Sequence, residues 1–279
     1  MNTLLSVVIP VYNQYQKLEI VLQHFSRQRT EGIDFEIIII DDGSIDELSK
    51  QDNKSLKIKY GINNIEILHT INGGRAIARN NGINAAQGEF IIFCDADRIP
   101  NEKYLSQYKK AAGNHNVIVG GAMDFFGPIQ LAYQPDNRQL FKWSRYPQYY
   151  KSACENLFDS EGNSNSEWSW LGFLVGNSCV KKEILTDIGG FSEDFSDWGF
   201  EHFEMAYRIM KTGERIINLR EIVNFHLVHS RPTGFYKEYI NKSIDLMGKK
   251  HSINTDVLKK LFFDNSVKYN FQILGGSCK

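Results

Sequence analysis

The sequence predicts an α/β fold in which helices flank a mostly parallel central sheet. Three observations lead to this prediction. Strand-like and helix-like segments alternate over residues 4–94, as in chains that cover a sheet with helices. The strand-like segments, such as LLSVVIPV and FEIIII, are continuously apolar, which is typical of strands buried on both faces. The chain has 279 residues, 42% of them hydrophobic, and can bury a core of that kind.

The N-terminal elements follow in order. A β-branched, apolar run predicts a first strand over LLSVVIPV, ending at Pro10 and Asn13. Between Leu18 and Phe25, apolar residues recur with helical spacing on one face. FEIIIIDDGSID predicts a second strand and IEILHT a third. GRAIARNNGINAAQG predicts a helix that Gly88 ends, and EFIIFC predicts the fourth strand.

The later elements are less regular. NVIVGGAMDFFG predicts another strand, and residues 127–170 lack clean periodicity, so we expect loops and short helices there. WLGFLVGNSCVKKEILTDIGGF predicts a strand and then a helix. FEHFEMAYRIMKTG predicts a helix that Gly213 closes, and RIINL and EIVNFHLVHSRP predict two strands. Helical stretches are expected from Thr233 onward.

Charge and cysteine content exclude some classes of function. Thirty-two basic residues balance 33 acidic ones, so nothing predicts nucleic-acid binding. The four cysteines, Cys94, Cys154, Cys179 and Cys278, are scattered, which predicts reduced thiols and a cytoplasmic protein. The N-terminus lacks the features of a signal peptide, and no apolar run approaches the roughly 18 residues of a membrane span. Any association of the protein with the inner face of a membrane is therefore expected to be peripheral.

Polar residues follow the ends of three predicted strands. They are Tyr12 with Asn13, Asp41 with Asp42, and Asp95 with Asp97. In open sheets of this kind, ligands bind beyond the carboxyl ends of the strands. The sequence therefore predicts a binding site at this rim.

The acidic pairs at the rim suggest a divalent cation and a nucleotide. Asp95 and Asp97 alternate along the chain, so both carboxylates can reach one side. Mg²⁺ and Mn²⁺ suit such oxygen ligands and often bind together with substrate phosphates. A solvated turn would have the same pattern. Asp41 and Asp42, before a glycine and a serine, could accept hydrogen bonds from a nucleobase or cap a helix.

Other candidates lie in helices. Arg75 and Arg79 are one helical turn apart and could neutralise phosphates, or form a solvated helix face. In DWGFEHFE, Trp198 offers a flat apolar surface to a sugar, and Gly199 lets the backbone approach a ligand. Glu201 or His202 could take a proton from a hydroxyl. The acids of this segment would equally suit the first turn of a helix.

Several motif-based functions are excluded. His226 and His229 form an HxxH pair that could ligate a metal, but no HExxH predicts a zinc protease. The first strand is not followed by GxGxxG, and GxxxxGKS/T is missing, so dinucleotide and P-loop sites are not predicted. A nucleotidyltransferase would need a glycine-rich, basic N-terminal loop, which VVIPVYNQYQK lacks.

The order of these motifs resembles a known family. VVIPVYN, IIIIDDGSID, RAIARNNGINAAQGEFIIFCDAD and GNSCVKKEILTDIGGFSEDFSDWGFEHFEMAYRI, followed by HLVHSR, resemble the family 2 glycosyltransferases with a GT-A fold. The later part also resembles the C-terminal motif of galactosyl- and N-acetylgalactosaminyltransferases and of chondroitin-polymerase-type modules. The resemblance covers residues 4–98 and 172–231.

The resemblance implies a Rossmann-like GT-A domain over residues 1–231, with a nucleotide-binding half (1–98) and an acceptor and catalytic half (99–231). Residues 232–279 would form a C-terminal helical extension. The implied activity is metal-dependent transfer of Gal, GalNAc, Glc or GlcNAc from a UDP-sugar, with inversion. The acceptor would be a carbohydrate, a lipid-linked saccharide or a peptide, in polysaccharide or glycoconjugate synthesis.

The resemblance also implies roles for individual residues. Pro10, Tyr12, Asn13 and Asp42 would hold the uridine, with Asp42 on the base and Asp41 in support.

In the DxD motif, Asp97 would ligate Mn²⁺ or Mg²⁺, and Asp95 would contact the ribose or the metal. His229 matches the family's late histidine ligand, and His226 would be a further one.

One position departs from the family pattern. Where inverting members have Glu-Asp, and some retaining members Glu-Asn, this chain has Glu201-His202. Imidazole titrates near neutral pH and can act as a base, so His202 is the predicted base, with Glu201 binding sugar hydroxyls. Glu201 is the competing base, and retaining chemistry stays open. The departure also leaves a second hypothesis, a non-catalytic partner subunit that binds nucleotide-sugars.

Overall fold

The computed structural model describes residues 4–30, 32–133, 136–196, 199–229, 235–264 and 268–274. Within these ranges, nine strands form one sheet with helices on both faces. The strands are β1 (Leu5–Val11), β2 (Phe35–Asp41), β3 (Ile65–His69), β4 (Phe90–Cys94), β5 (Arg98–Pro100), β6 (Val117–Phe125), β7 (Ser144–Arg145), β8 (Asn177–Lys181) and β9 (Ile216–Leu227). The helices are α1 (Tyr15–Phe25), α2 (Asn53–Tyr60), α3 (Arg75–Ala85), α4 (Tyr104–Ala112), α5 (Ile129–Ala132), α6 (Asn137–Lys142), α7 (Gln148–Leu157), α8 (Lys182–Asp187), α9 (Glu201–Lys211), α10 (Phe235–His251) and α11 (Thr255–Phe263). The predicted α/β fold is confirmed.

The sheet has a parallel half and a mixed half. Its order is β3-β2-β1-β4-β8-β6-β9-β5, and β7 pairs with the C-terminal end of β6. The first four strands are all parallel. β8 then pairs antiparallel with both β4 and β6, while β6 and β9 are parallel. The carboxyl ends of β1, β2 and β4 therefore share one edge, which is the predicted rim.

Two elements differ from the sequence predictions for local reasons. RIINL and EIVNFHL belong to one strand, β9, whose pairing with β6 shifts between Gly120 and Gly121. The extra residues of β9 bulge there and break the sequence pattern into two runs. The unpredicted helix α2 has few apolar residues. Its signal was a capping box, in which Asp52 and Ser55 each accept a hydrogen bond from the other's backbone N–H.

The two faces of the sheet carry separate apolar cores. Alternate residues of β1 divide between them, with Val7 and Ile9 on one face and Val8 on the other. This division explains why the strands read as continuous apolar runs. Helices α1, α2 and α4 cover the first face, and α3 and α7–α9 the second. In the C-terminal helices, Met247 and Leu261 are fully buried in the second core.

A buried histidine joins α1 to α5. His24 Nε2 lies 2.8 Å from the carbonyl oxygen of Ala132, and because a carbonyl only accepts, Nε2 carries the proton. Burial lowers the pKa of His24. Cys94, Cys154 and Cys179 are buried free thiols, and Cys278 lies outside the described residues. In the described part of the chain, no helix has the length and apolar character needed to cross a bilayer.

Candidate active site

The ends of the strands enclose a cleft of about 480 Å³. Nine residues predicted from the sequence line it: Pro10, Tyr12, Asp42, Arg75, Arg79, Asp95, Asp97, His226 and His229. Within the described ranges, the other predicted residues lie outside this lining: Asn13, Asp41, Gly199, Glu201 and His202. Trp198 lies outside the described residues. The structure therefore brings the nucleotide and metal candidates together and sets the candidate bases behind them.

One carboxylate and two imidazoles meet at the floor of the cleft. Asp97 Oδ2 lies 3.6 Å from His226 Nε2 and 3.5 Å from His229 Nε2. One donor atom from each residue lies within 4.8 Å of the others, close enough for one cation. The strand β5 builds this cluster, because Arg98 pairs with His226 and the N–H of Leu227 donates to Asp97 O.

The electrostatics of the cluster favour an ionised carboxylate. Burial raises the pKa of Asp97, but the neighbouring imidazoles of His226 and His229 outweigh it and hold that pKa well below its usual range. Lys17 Nζ, on α1, lies 3.7 Å from the same oxygen. The cluster thus holds a buried negative charge that attracts cations.

Asp124, on β6, orients His226. His226 Nδ1 lies 2.9 Å from Asp124 Oδ1, so Nδ1 carries the proton and Nε2 faces Asp97. Burial lowers the pKa of His226, but the two carboxylates outweigh this effect and raise it. Histidine ligands of metals commonly have such a carboxylate behind them. The sequence analysis missed Asp124, although an acid inside the apolar run VIVGGAMDFF was a visible signal.

A buried arginine links the cleft to the candidate bases. Arg79 is 2% exposed; its two terminal nitrogens donate to Asp95 Oδ1 at 3.0 Å and Glu201 Oε1 at 2.8 Å. Burial raises the pKa of Asp95, but Arg79 and Arg98 lower it more, and the net pKa is below its usual value. Arg79 is thus held by protein carboxylates, whereas Arg75 is exposed on the wall of the cleft.

Gly176 makes room for the carboxylate of Asp95. A Cβ on Gly176 would lie 2.3 Å from Asp95 Oδ2 and 2.5 Å from Arg98 Nε, closer than real atoms pack. The carbonyl of Gly176 accepts from Asn224 Nδ2 at 2.7 Å, which fixes the backbone there. Any larger residue at this position would therefore have to displace the Asp95–Arg98 ion pair.

Glu201 and His202 begin helix α9. Gly199 has a φ of +90° and Phe200 a φ of +66°, so a left-handed turn leads into the helix. Glu201 Oε2 and His202 Nδ1 are buried, and neither has a hydrogen-bond partner among the described residues. His202 Nδ1 lies 3.7 Å from Glu201 Oε1, beyond hydrogen-bond range. Buried polar atoms without partners are rare, so this turn is suited to receive a ligand.

The surroundings of Glu201 lower its basicity. Burial raises the pKa of Glu201, but His202 and Arg79 outweigh it and hold that pKa far below its usual value. A carboxylate with so low a pKa is a weak base.

Asp41 ends β2, and Asp42 after it lines one side of the cleft. Asp42 Oδ1 accepts from Gly73 N at 2.8 Å, and Oδ2 from Gly74 N at 3.0 Å. Burial nevertheless raises the pKa of Asp42. Asp41 Oδ1 accepts from Ser44 N at 2.9 Å, so Asp41 holds the loop that carries Asp42.

Asn13 has a similar supporting position. With a φ of +51°, it receives a hydrogen bond from Ile45 N on its side-chain oxygen at 2.8 Å. Its own N–H donates to Ser44 Oγ at 2.9 Å. Asn13 thus joins the loops that follow β1 and β2.

The fold is that of the GT-A glycosyltransferases. A structure of Staphylococcus aureus TarS, residues 1–349, aligns with a TM-score of 0.64 at 18% identity over 96% of this chain and 73% of that fragment. The mannosyltransferase PcManGT of Pyrobaculum calidifontis, solved with GDP-Man and Mn²⁺, also has a TM-score of 0.64, at 17% identity over 91% of this chain and 66% of its own.

Sequence comparison defines the family. Residues 6–172 match the model of glycosyl transferase family 2, and residues 161–230 match that of the N-terminal domain of galactosyltransferase. The chain belongs to glycosyltransferase family 2, as its motifs predicted.

Curated relatives match most of this chain. Validoxylamine A glucosyltransferase of Streptomyces hygroscopicus subsp. limoneus is 27% identical over 93% of this chain and 59% of its own length. Chondroitin synthase of Escherichia coli is 27% identical over 82% of this chain and 35% of its own. This chain therefore spans less than two thirds of the length of each of these two relatives.

Proposed function

We propose that this chain transfers a hexose or N-acetylhexosamine from a UDP-sugar to an acceptor hydroxyl with the help of Mn²⁺. The product would be a polysaccharide or glycoconjugate, and the sugar Gal, GalNAc, Glc or GlcNAc. The main support is the cluster of Asp97, His226 and His229 at the floor of the cleft that Asp42 and Arg75 also line. Related structures contain UDP, UDP-GlcNAc or GDP-Man with Mn²⁺, in agreement with a nucleotide-sugar donor.

The donor atoms of the cluster fit Mn²⁺ better than Mg²⁺. Mg²⁺ binds oxygen ligands almost exclusively, whereas imidazole suits transition ions and carboxylate suits Mn²⁺. His226 and His229 would give one nitrogen each and Asp97 one oxygen. Asp124 would hold His226 in the ligating tautomer. When bound, the ion would act as a Lewis acid that stabilises the charge of the leaving diphosphate.

The residues of the chain would bind and orient the donor. Asp42, Tyr12 and Pro10 would form the uridine side, with Asp41 and Asn13 supporting their loops. Asp95, kept ionised by Arg79 and Arg98, would accept hydrogen bonds from the ribose hydroxyls. Arg75, exposed at the start of α3, would bind a phosphate. Residues 1–98 would thus bind the nucleotide, and residues 99–231 the acceptor, with 232–279 as a helical extension.

His202 would be the base that removes the acceptor proton. Its Nδ1 is free of hydrogen bonds within the described chain, while Arg79 holds Glu201 in a weakly basic form. Glu201 Oε2 would bind a hydroxyl of the sugar. A base that acts directly on the acceptor corresponds to a single displacement with inversion.

A UDP-release assay tests the proposal. Wild-type protein should release UDP from one member of a panel of UDP-sugars in the presence of Mn²⁺. His202→Ala should lower kcat by 10²-fold or more, about the contribution of a general base. His115→Ala, which removes an imidazole before β6, is the matched control. If activity survives His202→Ala but is lost in Glu201→Gln, Glu201 is the base. UDP binding without release, with an acceptor array supplied, would favour the non-catalytic partner subunit.

A further inference from the structure

Four neighbouring strands each contribute one residue to a row across the sheet, beside the cluster of Asp97, His226 and His229. Arg98 on β5 pairs with His226 on β9, His226 with Asp124 on β6, and Asp124 with Arg145 on β7. Paired residues of neighbouring strands project from the same face of a sheet. Strands are spaced about 4.8 Å apart, so the backbone of Arg145 lies about 10 Å from that of His226.

Two exposed aromatic rings lie beside Arg145. The N–H of Phe126 donates to the carbonyl of Trp143 at 2.9 Å, and these side chains are 49% and 42% exposed. The guanidinium of Arg145 lies 4.7 Å from the centre of the Phe126 ring, a cation–π arrangement. We name Phe126, Trp143 and Arg145 the aromatic–arginine platform.

Arg145 is the charged group of the platform. Its side chain is exposed, and none of the carboxylates in the described ranges forms an ion pair with it. The contact with Phe126 restrains the guanidinium, and the Arg145 side chain is exposed. A restrained, planar guanidinium is well suited to bind a carboxylate or phosphate through two hydrogen bonds.

We infer that the aromatic–arginine platform binds the acceptor, and that the acceptor is a saccharide with a negative charge, either a uronate or a phosphate ester. This inference rests on the proposed function and identifies the substrate class of its acceptor side. Aromatic faces stack on the apolar faces of sugar rings. The platform lies on the same face as His226, so a chain that enters the cleft with its terminal hydroxyl crosses Phe126 and Trp143. An anionic group two strands away from His226 then meets Arg145.

An array of immobilised oligosaccharides tests the inference. Each uronate-bearing or phosphate-bearing saccharide is matched with its neutral counterpart, and binding is measured with UDP and Mn²⁺ present. Wild-type protein should prefer the charged member, and Arg145→Gln should weaken that binding about tenfold or more, while binding of the neutral member changes little. The preferred charged group distinguishes a uronate from a phosphate. Arg145→Lys should restore little, because lysine lacks the planar fork.

Control variants distinguish the effect of removing the Arg145 charge from the effect of a general change in charge or folding. Arg215→Gln removes an exposed arginine before the opposite end of β9, and binding should not change. Trp143→Ala should weaken binding of charged and neutral saccharides equally, because stacking does not depend on charge. Thermal unfolding of each variant shows whether it is folded.

Three results would overturn the inference. They are equal binding of charged and neutral saccharides, an equal loss of both in Arg145→Gln, and Arg145-dependent binding to phosphatidylglycerol vesicles without saccharide binding. UDP release from donor, measured separately without acceptor, reports on the proposed function. The array readout does not require turnover, so the two can fail independently.

Discussion

Replacing Arg79 with methionine should destabilise the protein strongly. The substitution keeps most of the side-chain volume but removes the cation shared by Asp95 and Glu201. Asp95 keeps its ion pair with Arg98 at 3.5 Å, and its side chain is 30% exposed, so the absence of Arg79 costs Asp95 little electrostatic stabilisation. Glu201, only 2% exposed, would stay buried and lose the arginine with which it forms an ion pair. Breaking one partner of such a buried pair costs about 3–5 kcal/mol, and we expect Arg79→Met to lose that much.

Urea denaturation followed by tryptophan fluorescence measures this loss. The control is Arg138→Met, which breaks a two-pronged ion pair with Asp136 on the surface and should change stability much less. Adding Glu201→Gln to Arg79→Met should recover part of the loss, because the stranded charge disappears. A loss below about 1 kcal/mol for Arg79→Met would refute the reasoning, since it would place the pair in the range of exposed ion pairs.

The pH dependence of the same variant is a further check. Without Arg79, the pKa of Glu201 should rise from its strongly lowered value, because one of the groups that lower it is gone. A carboxyl with a lowered folded-state pKa contributes stability above its unfolded-state pKa and loses that contribution as pH falls. Arg79→Met gives up part of this contribution, so its stability deficit should be largest near neutral pH and shrink as pH falls below the ordinary value of 4.5.

Further predictions concern three separate sites. Gly176→Ala should displace the carboxylate of Asp95 and raise the KM for the donor, with folding checked by circular dichroism; an unchanged KM would contradict the steric argument. Asp124→Asn should weaken Mn²⁺ binding about 10–100-fold in a calorimetric titration, because His226 loses its carboxylate partner; equal affinity would remove Asp124 from the site. His24 has a lowered pKa, so wild-type stability should fall as pH drops below 6.5, by up to about 1.4 kcal/mol per pH unit, and His24→Gln should lose that dependence in urea titrations.

Continuous apolar strands and the polar residues at their ends could be predicted from sequence. Burial on both faces leaves an unbroken apolar run, as in β1, and parallel neighbours bring their carboxyl ends to one edge. Asp42, Asp95 and Asp97 were found in this way. Their meeting with His226 was less certain, because it depends on β5, a strand of three residues that pairs with a distant part of the chain.

Supporting residues were harder to predict. The acid Asp124 stands out inside an apolar run, but its pairing with His226 joins two distant parts of the chain. The closeness of Gly176 to Asp95 is likewise a contact between distant residues, and it has no local sequence pattern. Arg79 is different, since it lies one helical turn from Ala76 and Ile83 and therefore belongs to the apolar face of α3. That position was a local sign that its guanidinium is buried and paired.

Mn²⁺-dependent UDP release from UDP-sugars by wild-type protein and Asp97→Asn tests the central claim most directly. The claim is that Asp97, His226 and His229 hold the ion that sugar transfer requires. We expect release by the wild type that rises with Mn²⁺ and is abolished by a chelator, and a loss of that dependence, with little remaining turnover, in Asp97→Asn. Full Mn²⁺-dependent release by the variant would contradict the claim and move the metal site away from this cluster.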